Sequence, residues 1–202
     1  MNRQRIINEP PLYRFCRPVV SAVFRMLFRP RIIGKENIPT DSAVILAGNH
    51  TSVLDCFMII ASTKRSVHFL AKNELFKNSF TNRFFTMAGL IRVYRNGNDR
   101  QALACAEEYL NNGCVVGIFP QGTTSRNPSE PLPFKIGAVK MAHDTKTAVV
   151  PFTINGNYRL FGKGIEIIFQ KPYRIESDDL SDENIKLKTK VLSKIKNQGD
   201  EK

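Results

Sequence analysis

The chain has 202 residues, of which 42% are hydrophobic and 24% charged, a composition that fits one globular domain with a sizeable core. Its net charge of +12 indicates a partner with negative charge, either nucleic acid or anionic lipid. No basic-aromatic stacking pattern, helix-turn-helix signature or zinc spacing accompanies that charge, so we expect no nucleic-acid partner. Since no apolar run approaches the ~20 residues that span a bilayer, and arginine interrupts the N-terminal apolar positions, we expect neither a membrane-spanning helix nor a signal peptide.

The cysteines and histidines give no sign of a metal site. The four cysteines form no CxxC pair and lack the spacing of metal ligands, and no cluster of carboxylates and histidines supports such a site. We therefore expect free thiols in a reducing compartment. We also expect a peripheral protein at the cytoplasmic face of the cell membrane.

The N-terminal segment combines positive charge with an amphipathic pattern. Residues 1–35 contain eight Lys or Arg and one acidic residue, and residues 12–28 have helical spacing, with Pro18 predicting either a kink or two shorter helices. The basic side of this helix carries Arg14, Arg17, Ser21, Arg25 and Arg29, and the apolar side carries Phe15, Val19, Val20, Val23, Phe24, Met26 and Leu27. We predict an element over residues 1–32 that lies on anionic phospholipid with its arginines at the headgroups. The alternative is a helix packed on its own domain with its arginines in water.

Short apolar runs alternate with amphipathic segments from residue 43 onward. The runs have the length and composition of strands, at 43–47, 67–71, 91–94, 115–119, 148–154 and 165–169, and helical spacing is found near 53–62, 73–88, 99–112 and 134–144. This alternation predicts an α/β fold over residues 33–176, with a mixed, mostly buried sheet flanked by helices. The charged residues 177–202 predict an exposed C-terminal helix followed by a tail.

His50 and Asp55 follow the first of these strands, where the loops of α/β proteins present functional groups. If the chain turns between them, the carboxylate accepts a hydrogen bond from one ring nitrogen while the other nitrogen takes a proton from a substrate hydroxyl. The hydroxyl then supplies the attacking oxygen, and no serine or cysteine nucleophile is needed. Taken alone, the spacing favours a loop histidine that caps local backbone and an aspartate that caps the next helix.

A glycine-containing turn follows the apolar run 115–118. Gly122 permits backbone geometry that other residues resist, and the hydroxyls of residues 123–125 with the Arg126 guanidinium form a possible cradle for an anion. An ordinary strand-to-loop turn explains the glycine and proline here. It does not explain why an apolar strand precedes this turn just as one precedes His50. The two segments together indicate acyl transfer to an alcohol.

Four segments in this order resemble the motifs of the glycerolipid acyltransferase family, most closely the bacterial 1-acyl-sn-glycerol-3-phosphate acyltransferases, over residues 30–170. They are Asn49-His50-x4-Asp55, the segment Gly89-Leu90-Ile91-Arg92-Val93-Tyr94-Arg95, Phe119 to Ser125, and Val150-Pro151-Phe152. Residues 71–76 and 134–138 also look like family sequence. Four motifs in the right order are a strong joint signal, whereas each motif alone is weak.

The resemblance implies an O-acyltransferase with His50 as general base and Asp55 as its orienting partner. The base takes a proton from the free hydroxyl of lysophosphatidic acid, and the alkoxide attacks an acyl thioester on coenzyme A or acyl carrier protein to give phosphatidic acid. The residues that the resemblance implies for substrate binding, mainly around the acceptor phosphate, are Arg95, Gln121, Gly122, Thr123, Thr124, Ser125, Arg126 and Lys72. It implies no cofactor beyond the acyl-CoA or acyl carrier protein co-substrate.

Two residues depart from the family pattern. Gln121 stands where the family usually has Glu, and Thr124 where it usually has Arg, so one negative and one positive charge are lost together. Arg126 can reach the same phosphate from two residues further on. The alternatives are a different acceptor, such as glycerol 3-phosphate or another lysolipid, and a non-catalytic protein that binds anionic lipid.

Overall fold

The computed structural model describes residues 11–94, 99–125 and 132–196. Its helices are α1 (Pro11–Phe28), α2 (Asp55–Ser62), α3 (Ser79–Met87), α4 (Asp99–Asn111), α5 (Gly137–Thr145) and α6 (Leu180–Leu192). Its strands are β1 (Arg31–Ile33), β2 (Val44–Gly48), β3 (Val67–Lys72), β4 (Ile91–Val93), β5 (Val115–Ile118), β6 (Ala148–Asn155) and β7 (Glu166–Phe169). Short 3-10 turns lie at Lys35–Asn37 and Asn73–Phe76.

The strands form one mixed sheet in the order β1-β7-β6-β2-β5-β3-β4. β6 pairs with β7 antiparallel, and every other neighbouring pair is parallel. The prediction of an α/β fold with a mixed sheet flanked by helices is confirmed, and the six predicted strands agree with the observed ones to within one residue at each end. The three-residue strand β1 was not predicted, because a run that short carries no periodicity; it spans the predicted boundary between residues 32 and 33.

Both faces of the sheet are buried, so neighbouring residues of a strand enter different cores. In β2, Val44 and Leu46 pack with α1 and α2, while Ile45 and Ala47 pack with α4, α5 and α6. This explains why the strands are apolar at every position rather than at alternate ones. The parallel pairing of β2 with β5 brings the carboxyl ends of both strands to one edge of the sheet.

The C-terminal helix was predicted to be exposed, but one side of it packs into the core. Leu187 and Val191 of α6 are fully buried in the core that α5 also enters. The Thr153 hydroxyl donates to the Val191 carbonyl at 2.6 Å, which ties the end of α6 to β6. Two apolar positions one turn apart are sufficient for one side of a highly charged helix to join the core. The predicted tail beyond residue 196 lies outside the described residues.

Helix α1 is continuous through Pro18, and the middle of its polar side contacts the protein. Arg17, Ser21 and Arg25 donate to backbone carbonyls of residues 60–63, where α2 ends; Arg25 reaches the Ala61 carbonyl from both Nε and a terminal nitrogen. The C-terminal carbonyls of a helix lack partners within the helix and carry partial negative charge, which explains why arginines bind there. Arg17 and Arg25 thus bind backbone carbonyls, a contact that the sequence prediction did not include.

The opposite side of α1 is apolar and exposed. Phe15 is 77% exposed, Val19 63% and Met26 60%, whereas Phe24 is buried against α2 and the sheet. In the described ranges, no helix combines the length and the apolar character that crossing a membrane requires. The exposed apolar side belongs to a helix that packs on α2 and contacts α3.

We predict that Asn49→Ala lowers the free energy of unfolding by about 2 kcal/mol or more, because two buried backbone groups lose their partner. The Asn49 side chain donates to the Ile154 carbonyl at 2.8 Å and accepts from the Ile154 N–H at 2.7 Å, which extends the pairing of β2 with β6. Urea denaturation measures the change. Asn111→Ala, at an exposed position at the end of α4, is the control and is expected to change stability by no more than about 0.5 kcal/mol. Equal losses in the two variants would contradict this account.

Candidate functional site

His50 and Asp55 lie side by side at the carboxyl edge of the sheet. β2 ends at Gly48 and α2 begins at Asp55, and the turn between them brings the His50 Nδ1 atom to 2.8 Å from Asp55 Oδ2. The expected hydrogen bond is therefore present. The His50 side chain is 16% exposed and the Asp55 side chain is fully buried. Because Nδ1–H donates to the carboxylate, Nε2 is the ring nitrogen left to act on a substrate.

The Asp55 carboxylate accepts five hydrogen bonds. Oδ2 accepts from His50 Nδ1 and from the backbone N–H groups of Thr51 at 2.6 Å and Ser52 at 2.9 Å. Oδ1 accepts from the Thr51 hydroxyl at 3.2 Å and from the Tyr158 hydroxyl at 2.6 Å. These donors and the position at the first turn of α2 compensate for the hydration that a buried negative charge loses.

The His50 ring is held against an aromatic cluster. Its centroid lies 4.0 Å from that of Phe119, with the two planes at 15°. Phe119 in turn packs against Phe69 and Phe152, whose rings come from β3 and β6. The stack fixes the plane of the imidazole.

Two hydrogen bonds join the backbone of His50 to the glycine-containing turn. The His50 N–H donates to Gln121 Oε1 at 2.8 Å, and the Ser125 N–H donates to the His50 carbonyl at 2.7 Å. The Gln121 side chain is buried, so its oxygen is committed to this contact. Glutamine and glutamate both offer an oxygen at this point, which explains how Gln121 occupies a place where a carboxylate is usual.

The turn itself is open to solvent. Gly122 has a φ of +69° and donates its N–H to the Phe119 carbonyl at 2.9 Å, a conformation that favours glycine. Thr123 is exposed, and Ser125 is partly exposed. A Cβ on Gly122 would lie 3.2 Å from Lys135 Cε, so the lysine chain passes over the turn and adds a positive charge there.

The sequence-predicted site residues divide into three groups. The structure brings together His50, Asp55, Gln121 and Ser125, and the turn that holds the last two also carries Gly122, Thr123 and Thr124. Lys72 is exposed at the end of β3, two strands from β2, and no hydrogen bond or ion pair joins it to these described residues. Arg95 and Arg126 lie outside the described residues.

The site predicted from the sequence left out three residues that the structure places here. Tyr158 lies 103 residues from Asp55, in an irregular segment that has no motif, so no local signal identifies it. Phe119 belongs to a recognised motif, but its stacking on the imidazole requires the pairing of β2 with β5. Lys135 lies in a segment that resembles the family, and this was the available signal for it.

The neighbouring thiol is buried and is held in its protonated form. Burial and the charge of Asp55 raise the pKa of Cys56 to about 12, so the thiol stays protonated at neutral pH. Across the described ranges, no group of three or more His, Cys, Asp or Glu side chains is arranged to hold a metal ion.

The chain is similar to known acyltransferases in sequence and in fold. A family model described as Acyltransferase matches residues 29–155. The 1-acyl-sn-glycerol-3-phosphate acyltransferase of Bacillus subtilis is 30% identical over 166 residues, which cover 80% of this chain and 82% of that protein. The protein of that name in Borreliella burgdorferi is 35% identical over 137 residues, or 66% of this chain and 54% of that protein.

A solved structure has the same fold over most of the chain. The crystal structure of the 1-acyl-sn-glycerophosphate (LPA) acyltransferase PlsC from Thermotoga maritima matches with a TM-score of 0.75 and 25% sequence identity. The match covers 96% of this chain and 82% of that one. The match therefore extends over nearly the whole chain.

We predict that Gln121→Ala lowers the free energy of unfolding by about 1 kcal/mol or more, because the His50 N–H loses its acceptor. Gln121→Glu keeps an oxygen in place and is expected to lose less. Thr123→Ala, an exposed change in the same turn, serves as control and is expected to stay within about 0.5 kcal/mol of the unmodified protein. Urea denaturation compares the three variants, and an alanine variant as stable as the glutamate variant would rule out the acceptor role.

Proposed function

The chain belongs to the acyltransferase family, and from this premise we propose that it transfers an acyl group to the free hydroxyl of 1-acyl-sn-glycerol 3-phosphate to give phosphatidic acid. The observation that carries the proposal is the contact of His50 Nδ1 with the buried Asp55 carboxylate at 2.8 Å, beside a partly exposed imidazole face. The names of the bacterial relatives supply the acceptor.

The proposed reaction is a direct transfer between two substrates. His50 Nε2 takes the proton of the acceptor hydroxyl, and the oxygen attacks the carbonyl carbon of the thioester. The carbon–sulfur bond then breaks, and the thiolate of coenzyme A or acyl carrier protein leaves and takes the proton from the imidazolium. Asp55 stabilises the imidazolium during this interval. The raised pKa of the Cys56 thiol argues against an acyl-enzyme intermediate at this nearby cysteine.

The acceptor phosphate is proposed to bind at the turn that holds Gly122. The backbone and hydroxyl groups of Thr123 and Thr124, together with the Lys135 ammonium group over Gly122, offer donors to a phosphate monoester. Arg95, Arg126 and Lys72 remain proposed contributors of positive charge. The buried Gln121 is assigned a structural role rather than a contact with phosphate, since its oxygen accepts from His50.

We further propose that one apolar face seats the enzyme on the cytoplasmic leaflet of the cell membrane. Helix α1 contacts α3, and the Phe161 N–H donates to the Leu27 carbonyl at the end of α1. The exposed apolar side chains of α1, of α3 and of the segment around Phe161 are therefore neighbours. This apolar face comprises Phe15, Val19, Val23, Met26, Phe80, Phe84, Met87, Leu160 and Phe161. Exposed Arg14, Arg29 and Arg83 adjoin it and match anionic headgroups.

The membrane-seating model also accounts for access to a lipid acceptor. Val53 is 74% exposed and Phe57 is 42% exposed, and they belong to the turn and helix that carry His50 and Asp55. Apolar side chains on these elements allow an acceptor to reach the imidazole while its acyl chain stays in apolar surroundings.

We predict that His50→Ala lowers kcat for acyl transfer at least about 100-fold, since it removes the proposed base. Asp55→Asn is expected to lower it as well, because an amide stabilises the imidazolium less than a carboxylate does. The measurement is product identification with lysophosphatidate, glycerol 3-phosphate and a phosphate-free lysolipid, each with acyl-CoA and with acyl carrier protein as donor. His143→Ala is the control, because its ring pairs with Asp144 and Asp178 on the other side of the sheet.

Two results would contradict the assignment. Full activity in the His50→Ala variant would remove the base. A strong preference for the phosphate-free acceptor would overturn the assignment of lysophosphatidate as the acceptor. Gln121 and Thr124, which differ from the usual motif residues, are the reason to test this outcome.

We predict that Val19→Asp or Phe80→Asp weakens binding to vesicles that contain phosphatidylglycerol about tenfold, because each places a charge where an apolar side chain enters the lipid. Ile185→Asp is the matched control: Ile185 is 63% exposed, but it lies on α6 on the other side of the sheet. Vesicle flotation measures the bound fraction. Equal effects of the three variants would contradict the proposed face.

A further inference from the structure

Tyr158 is the long-range partner of Asp55. Its hydroxyl donates to Asp55 Oδ1 at 2.6 Å, whereas the other four donors come from residues 50–52. Those four belong to the same turn as the carboxylate and move with it. Tyr158 therefore ties the carboxylate to a separate part of the fold.

The tyrosine ring is held by α1. Its centroid lies 5.6 Å from that of Phe28 and 6.1 Å from that of Phe24, both in edge-on contacts. The Phe161 N–H donates to the Leu27 carbonyl, which fixes the segment after Tyr158 to the end of α1. At its base the segment closes on itself, since a Cβ on Gly156 would lie 1.8 Å from the Gly164 carbonyl oxygen. The position of Tyr158 thus depends on the packing of α1.

We propose that Tyr158 is a positioning residue that holds the Asp55 carboxylate against His50, and that α1 keeps Tyr158 in place. The inference deepens the proposed function and rests on it for the catalytic consequence. The hydrogen bond leaves Oδ2 for the imidazole by engaging Oδ1, and it draws off part of the carboxylate charge. Burial and the Asp55 charge raise the pKa of Tyr158 well above its usual value, so it remains a donor across the working pH range.

The charged and titratable groups near His50 determine the electrostatic environment of its ring. Asp55 contacts the ring from α2, Tyr158 contacts Asp55 from the segment after β6, and Cys56 lies beside Asp55 as a neutral thiol. From the glycine-containing turn, Phe119 and Gln121 are uncharged, and the Lys135 ammonium group is the cation over Gly122. A change at the Tyr158 hydroxyl therefore reaches the imidazole through Asp55.

The test is Tyr158→Phe, which keeps the ring and removes the hydroxyl. The His50 midpoint is measured by NMR titration of protein labelled at histidine; the other histidines are His68 and His143, and His50→Ala assigns the signal. We expect the midpoint to rise by about half a unit, because the carboxylate charge is less shared. We also expect kcat to fall about tenfold with KM nearly unchanged, since Tyr158 is not proposed to contact substrate.

A matched control separates this effect from the loss of any buried tyrosine hydroxyl. The Tyr173 hydroxyl is buried and has no hydrogen-bond partner among the described residues, so Tyr173→Phe is expected to leave the His50 midpoint and kcat unchanged. A rise in the His50 midpoint in the Tyr158→Phe variant means that Tyr158 shares the Asp55 charge. A fall means that the Asp55 carboxylate has moved away from the imidazole without Tyr158 to hold it. A midpoint equal to that of the control overturns the proposal.

The contribution of α1 is tested by a double-mutant cycle on the same midpoint. Phe28→Ala is expected to displace the His50 midpoint when residue 158 is tyrosine and to add little when it is phenylalanine. Cys16→Ala, at an exposed position of the same helix outside the apolar face, is the control and is expected to leave the His50 midpoint unchanged. Equal displacements in both backgrounds overturn the role of α1, and an unchanged His68 signal verifies folding.

The titration does not require turnover. Protein that transfers no acyl group but has a shifted midpoint in Tyr158→Phe would refute the proposed function and leave the positioning contact standing. The reverse result, transfer with an unshifted midpoint, would refute the positioning role alone.

Discussion

The buried carboxylate of Asp55 is the constraint on which the site depends. A charge removed from water needs donors, and the fold supplies backbone N–H groups from the turn, a helix N-terminus, a hydroxyl of Tyr158 and the ring of His50. Each donor is thereby fixed in direction. The imidazole has its Nδ1 bound and its plane set by Phe119, so Nε2 has one orientation available for a substrate hydroxyl. The geometry of the proposed base therefore follows from solvating one anion with protein groups.

The pairing of two parallel strands brings the chemical groups together. β2 and β5 are neighbours, so the turns that follow them meet at one edge, and Gln121 and Ser125 bind the backbone of His50 on both sides. This arrangement gives a physical reading of the departure at position 121. The contact requires an acceptor oxygen in a buried place, and an amide meets that requirement without a charge that would need compensation.

The N-terminal helix serves the domain and exposes an apolar surface at the same time. Arg17 and Arg25 bind the carbonyls at the end of α2, and this orientation turns Phe15, Val19 and Met26 outward. The same helix packs Phe24 and Phe28 against Tyr158. The surface proposed to meet lipid and the support of the Asp55 carboxylate are therefore two sides of one element.

The amino-acid sequence alone determined the strand positions, the mixed α/β class and the two polar motifs. Apolar runs and turn residues set the local backbone conformation, so they can be recognised without knowledge of the fold. The contact between His50 and Asp55 could also be predicted from the sequence, because they are five residues apart across a strand-to-helix turn and cannot lie far from each other. Tertiary structure alone decided which side of α1 faces inward, that Leu187 and Val191 of a charged helix join the core, and that Tyr158 reaches Asp55. These three features depend on which surfaces meet after the chain has folded. A residue that binds carbonyls at a helix end, or a carboxylate 103 residues away, shows no periodic pattern in its own sequence neighbourhood.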